Sequence, residues 1–156
     1  MNFIKPSIVL FLLLFSFGLT AETTLNTESV NKLLNNIQES VRKKDADKFA
    51  TYFTDDAKIT IEMPSNMGGT MNLNMTQYIK MLKEGWALPA KYTYEVKDIR
   101  IKISQNKNSA TVNDVTLEKI EMNGKIIASS ESIETMTVVI SNGTPKIKSL
   151  YGKVKL

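Results

Sequence analysis

The stretch from Lys48 to Pro64, KFATYFTDDAKITIEMP, constrains this chain more than any other, because a helical period gives way within it to a strand period with almost no linker. Asp45 is placed to cap a short helix whose apolar face is Ala46, Phe49, Ala50 and Phe53, and that helix is expected to end near Thr54. Asp55-Asp56 then reads as a capping and turning pair rather than a functional dyad, since no second acidic cluster converges on it in sequence. Beyond it Ile59, Ile61 and Met63 alternate with Lys58, Thr60 and Glu62, a half-buried strand stopped by Pro64. The passage points to an α+β arrangement.

The flanking sequence extends the pattern. Val30, Leu33, Leu34, Ile37 and Val41 recur at helical spacing and predict a helix over roughly residues 28 to 43. Asn74 with Gln77 forms a capping pair that opens a third helix with Tyr78, Ile79 and Leu82 on its inner face. Gly85 is expected to end that helix in a left-handed conformation, leaving Trp86 and Pro89 in the connection. From Lys91 onward the helical period disappears, and strands are expected near 90 to 104, 109 to 122, 125 to 141 and 145 to 155, in an antiparallel meander. Asn123-Gly124 and Asn142-Gly143 suit tight hairpin turns, which need positive φ at both central residues; Gln105 to Asn108 is a weaker turn. Tyr92, Tyr94 and Val96 are out of phase with Ile99, Ile101 and Ile103, and a similar slip separates Val115 and Leu117 from Ile120 and Met122. Bulges at these points, the first near Lys97-Asp98, would curl the sheet around a helix and open a cavity.

The N-terminus belongs to none of this. Lys5, an apolar run from Ile8 to Phe17, then Gly18, Leu19, Thr20 and Ala21 read as a secretory leader over residues 1–21, too short to span a bilayer and ended by a small residue suited to cleavage. Residues 22–156 then form one domain that is periplasmic or secreted, without a stable membrane anchor; the absence of cysteine removes a lipid-modified one. The chain carries 20 lysines and arginines against 16 acids, a mild excess with no basic cluster interleaved with aromatics, so a nucleic-acid partner is not expected. It also has no histidine, which removes the usual zinc ligand and the histidine-assisted nucleophiles. Any chemistry must use carboxylates, tyrosines or lysines, and no cofactor is indicated.

In element order, and in the segments FATYFTDDAKITIEM, NMTQYIKML and PKIKSLYGKV, the chain resembles the nuclear-transport-factor-2-like superfamily, particularly its SnoaL-like and ketosteroid-isomerase-like branches. The resemblance implies a cone-shaped, curved antiparallel sheet wrapped around N-terminal helices, a pocket at the open end, and homodimerisation through the outer face of the sheet. It does not imply one activity, because function on such folds lies in the site. The SnoaL-like pattern places histidines on the last strand; here Pro145, Ile147, Ser149 and Tyr151 occupy the positions read as inward, so that branch's chemistry is not expected. The isomerase-like pattern needs a carboxylate before a proline after FTDDA, and Glu62 falls one residue from that place, on the face opposite Ile59 and Ile61.

The expected function is therefore an exported, non-catalytic binding module for a small apolar molecule or a peptide segment. The candidate lining is Tyr52, Met63, Tyr78, Trp86, Tyr94, Ser149 and Tyr151, with Trp86 at the mouth. A histidine-free isomerase or dehydratase is the alternative, with Glu62 or Glu134 as the base. Glu131 and Glu134 lie on opposite faces of one strand, so at most one of them enters a pocket. A carboxyl buried beside a tyrosine hydroxyl would favour the enzyme. A protein-interaction factor would instead show a contiguous exposed apolar patch. Met63, Met67, Met71 and Met75 recur every four residues across a segment that Pro64 and Gly68-Gly69 keep from being a helix, so they read first as core filling, with an adaptable apolar rim or a thioether Cu(I) site as the functional alternatives. N-terminal sequencing of exported protein is expected to start at or near Glu22; an intact residue 1 in a membrane fraction would contradict the leader.

Overall fold

The chain enters its sheet late, after two helices have formed a partial lid. A computed structural model describes residues 23–155, so the leader reading at residues 1–21 lies outside them. The elements are α1 (Thr27–Arg42), α2 (Ala46–Ala50), β1 (Phe53–Glu62), a single 3-10 turn (Ser65–Met67), β2 (Thr70–Leu73), α3 (Met75–Trp86), β3 (Lys91–Ile103), β4 (Ser109–Met122), β5 (Lys125–Ser141) and β6 (Thr144–Lys155). Asn26 caps α1 reciprocally with Ser29, and Asn74 caps α3 reciprocally with Gln77, satisfying backbone donors that a helix start leaves free. The stripe Val30, Leu33, Leu34, Ile37 and Val41 is buried, as its spacing requires.

The six strands form one open sheet in the order β2-β1-β6-β5-β4-β3. The four long strands make the antiparallel meander, with Asn123-Gly124 and Asn142-Gly143 at positive φ in two of its turns. β1 pairs parallel to β6, which closes the order without a further hairpin. Val112, Met136, Val138, Ile147 and Ile59 line the inner face beneath α1 and make the dry end of the core.

Four local expectations change. α2 ends at Ala50, and Phe53 and Asp55-Asp56 belong to β1; the aspartates sit exposed where the β1–β6 register shifts, so they extend a strand rather than cap a turn. Helix α3 runs through Gly85 to Trp86, and Ala87 caps it in a right-handed conformation, so Trp86 is a helix residue and not part of the connection. The bulge expected in β3 is present, with Asp98 at φ 52° and Asp98-Ile99 facing Asp114 alone, but Ile99 is left exposed instead of sharing a face with Ile101 and Ile103, which return to the core side. The second slip is absent from β4. Its pairing with β3 is continuous from Lys91–Glu121 to Lys97–Val115, and the extra residue is Ile127 on β5.

Ile59 is 1% exposed whereas Ile126 is 62% exposed. Ile59→Ala should cost ~2–5 kcal/mol in denaturant unfolding, and Ile126→Ala should stay within about 0.5 kcal/mol. Equal effects would contradict this placement of the core.

Candidate functional site

Along β4 the inward residues are Val112, Asp114, Thr116 and Glu118, and along β5 they are Val138, Met136, Glu134 and Ser132. Each strand therefore passes from an apolar end to a polar middle on one face. Asp114 lies directly opposite Glu134, and Glu134 lies opposite Gly152 on β6, so two carboxyl groups and a missing side chain share one row across the sheet. Residues directly opposite in antiparallel strands hold their Cβ atoms roughly 5 Å apart, which brings the two carboxyls into one site. A Cβ on Gly152 would approach Glu134 to 4.0 Å, so the glycine leaves room beside that side chain without any unusual backbone angle.

Two cavities meet on these residues. An inner one of about 60 Å³ lies between the helices and the sheet and is walled by Asp114, Glu118 and Glu134 together with Phe49, Trp86 and Tyr94. An outer one of about 320 Å³ opens among Met63, Met71 and Met81. Tyr78, Leu82, Glu118, Glu134 and Leu150 belong to both walls. The aromatic wall is held by ring contacts: Phe49 meets Tyr78 edge-on at 5.9 Å and Trp86 at 6.3 Å between centroids. Tyr92 donates a short hydrogen bond to Glu118.

Enclosure sets the protonation of this wall. Burial pushes the Glu134 carboxyl up to about 8, and the charges of Asp114 and Glu118 push the same way. Burial also raises Asp114, to about 6. The two groups face each other, so they titrate as a pair around neutral pH rather than as independent acids. Burial, and then neighbouring carboxylates, holds the Tyr78, Tyr92 and Tyr94 phenols well above their ordinary value, which keeps them neutral donors. Asp114 Oδ1 and Thr116 Oγ1 are buried without a hydrogen-bond partner among the described residues.

No family model matches the sequence, and no curated protein matches it. Solved structures do. A candidate scytalone dehydratase from Novosphingobium aromaticivorans superposes with a TM-score of 0.65 at 14% identity, over 83% of this chain and 83% of that one. An NTF2-like protein from Cytophaga hutchinsonii gives 0.63 at 13% identity, over 84% of this chain and all of its own (100%). The beta subunit of a benzoate 1,2-dioxygenase from Burkholderia mallei gives 0.66 at 16% identity, over 85% and 92%. The chain has the nuclear-transport-factor-2-like fold. Within that fold, identities this low carry architecture and not activity, so the site has to be read from its own residues.

In this nuclear-transport-factor-2-like frame the sequence-predicted candidates divide. Tyr78, Trp86 and Tyr94 line the inner cavity, and Met63 lines the outer one. Tyr52 stands apart beside Lys32 and Lys146, with the Lys48 ammonium 5.5 Å from its ring centre. Ser149 and Tyr151 do not reach either cavity. Thr137 pairs with Ser149 and Val138 with Ile147, so Lys148 is an extra residue that reverses the phase and turns Leu150 and Gly152 inward instead. Glu62 lies on the outer face, where it pairs with Lys153 at 2.6 Å and accepts a hydrogen bond from Tyr151; the donated hydrogen bonds hold its carboxyl below the usual range. Glu131 pairs outside with Lys155 while Glu134 enters. The methionines do not converge: Met67 is exposed and Met75 lies on the far side of α3 with Ala50 and Ile79, so four thioethers do not meet. Asp114 and Glu118 went unanticipated. Their signal was the apparent phase break in β4, which arises because the inward face there is polar.

The pH sign follows from the raised values. Between an ordinary carboxyl value and about 8 the folded protein holds a proton on Glu134 that the unfolded chain has lost, and Asp114 acts in the same direction up to about 6. Stability therefore falls as pH rises through this window. Thermal unfolding is expected at a lower temperature at about pH 8.5 than at about pH 5, and Glu134→Gln should flatten the difference. A Glu134→Gln profile parallel to wild type would contradict the burial of this group.

Proposed function

We propose that this protein is an exported small-molecule-binding domain whose ligand occupies the space under α3, reaching from the methionine-rimmed outer cavity to the carboxyl groups of the inner one. The observation that carries this reading is the wall common to both cavities, Tyr78, Leu82, Glu118, Glu134 and Leu150, which sets carboxyl groups at the inner end of a recess lined beyond them by methionines and other apolar side chains with Ser129, Ser130 and Ser132. The outer face of the sheet gives less support to a protein-interaction role, because the ion pairs Lys153–Glu62 and Lys155–Glu131 run beside Ile133 and Tyr151 and break up the apolar surface.

A second reading is favoured by one observation. The Glu134 carboxyl is enclosed near the Tyr78 and Tyr94 phenols, with a proton affinity near neutral pH, which is the equipment of a histidine-free isomerase or dehydratase. Binding ranks first because it needs only the wall that the two cavities share, whereas turnover needs in addition a reacting atom held within hydrogen-bond reach of Glu134.

Native mass spectrometry of protein recovered undenatured from its exporting cell is expected to show a retained small molecule. Gly152→Val, which puts side-chain atoms into the outer cavity at ordinary contact distance from Glu134, should lose it. No mass increment, together with no thermal stabilisation by six- to ten-carbon alcohols, ketones or amines, would overturn the binding reading. Turnover of an enolisable ketone that falls about 100-fold in Glu134→Gln would place the enzyme first.

A further inference from the structure

We propose that the inner cavity accepts the ammonium head of an amphipathic amine, with the ligand's apolar remainder lying in the outer cavity. This deepens the binding reading above and rests on it. The first support is charge. The chain has 20 basic and 16 acidic residues, yet among the described residues no lysine or arginine lines either cavity and three carboxyl groups do. Lys44, at the end of α1, is close to Trp86 but donates to the carbonyls of Trp86 and Ala90 at 3.5 and 3.2 Å, outside the lining.

The second support is an unfilled acceptor. Asp114 is 5% exposed, lines the inner cavity, and has no hydrogen-bond partner for Oδ1 among the described residues. An ammonium offers three donors and no acceptor, which suits carboxylates that can only accept once ionised. The third support is the aromatic surround of Phe49, Phe53, Tyr78 and Trp86, whose faces attract a cation and do nothing comparable for an anion. Among the described residues no three carboxylates gather closely enough to hold a metal ion, which favours an organic cation. Size divides the ligand. About 60 Å³ admits a head group but not a whole molecule, while about 320 Å³ beyond it admits a chain, and methionine side chains adapt to varied apolar shapes.

Protons follow from the same arrangement. Glu134 is faced by Asp114 and Glu118 from β4, Tyr94 from β3, Tyr78 from α3 and the uncharged Gly152 from β6, while α1 adds only the neutral Gln38. With the cavity empty, Glu134 keeps its proton up to about 8. An entering ammonium stabilises the carboxylate, so binding near neutral pH releases a proton. Affinity should rise from about pH 6 to about pH 9, since an alkylamine, like lysine, stays charged to about pH 10.

Calorimetric titration with hexylamine, hexanol and hexanoate at neutral pH tests this. Hexylamine is expected to bind at least tenfold more tightly than hexanol, with hexanoate weakest, and its heat should vary with the ionisation enthalpy of the buffer. Glu134→Gln should cost hexylamine tenfold or more and leave hexanol unchanged, Glu118→Gln should shift the same ratio, and Glu62→Gln, on the outer face, should change neither. Gly152→Val should block all three. Hexanol or hexanoate binding as tightly as hexylamine, with Gly152→Val still blocking, would overturn the amine and leave a binding cavity. Hexylamine affinity indifferent to both Glu134→Gln and Gly152→Val would also overturn it. Failure of all three probes to bind would remove the binding reading itself.

Discussion

The cross-strand pair of Asp114 and Glu134 is the costly feature that the rest of the structure must accommodate. Enclosing carboxyl groups disfavours their charged forms, and placing two of them opposite each other disfavours double ionisation further. The same strands offset that cost two residues away. Val112 and Ala110 continue β4 and Met136 and Val138 continue β5 into the buried core beneath α1, where Val30, Leu33 and Leu34 meet them. The inner face is thus a gradient, dry at one end and polar in the middle, and the two ends are rigidly joined because they are the same strands.

Bulges place that gradient relative to the helices. At β3 the extra residue lies directly opposite Asp114, so the strand bends at the row where the carboxyls sit, and Tyr92 and Tyr94 lie on one side of the bend while Ile101 and Ile103 pack on the other. At β6 the extra residue is Lys148, and its insertion is the reason that Gly152, and not Tyr151, faces Glu134. Had the strand kept its phase, a tyrosine would occupy the place where the glycine leaves room. The cavity therefore depends on one irregularity as much as on any side chain.

Much of the architecture was legible in the sequence because it rests on local rules. The capping pairs at Asn74 and Gln77, the Asn-Gly turns, the buried stripe of α1, the bulge near Lys97-Asp98 and the outward fate of Glu62 all follow from interactions within a few residues. The site was only half legible. Tyr78, Trp86 and Tyr94, expected from aromatic character and position, do line the inner cavity, whereas Asp114 and Glu118 stay hidden because alternation shows itself through its apolar members. Val115 and Leu117, the apolar members of that alternation, face outward beside Ile133 and Glu131. A strand that turns polar residues inward defeats a pattern rule built on apolar ones, and such strands are where function concentrates. Ser149 and Tyr151 lie outside both cavities for a different reason: a one-residue insertion in β6 changes every facing beyond it.

Net charge misdirects in the same manner. The formal charge of the whole sequence is +4, while the enclosed space has the opposite sign because, among the described residues, its ionisable lining is acidic apart from phenols. A cationic ligand is not drawn in by the long-range field of such a protein, so its rate of arrival gains little from electrostatic steering. For the proposed amine, discrimination would arise at close range, once water is displaced and the carboxyl pair gives up its proton. Selectivity of that kind would be expressed mainly in how slowly the ligand leaves, and in the proposed site the aromatic wall of the inner cavity is the part that would set it.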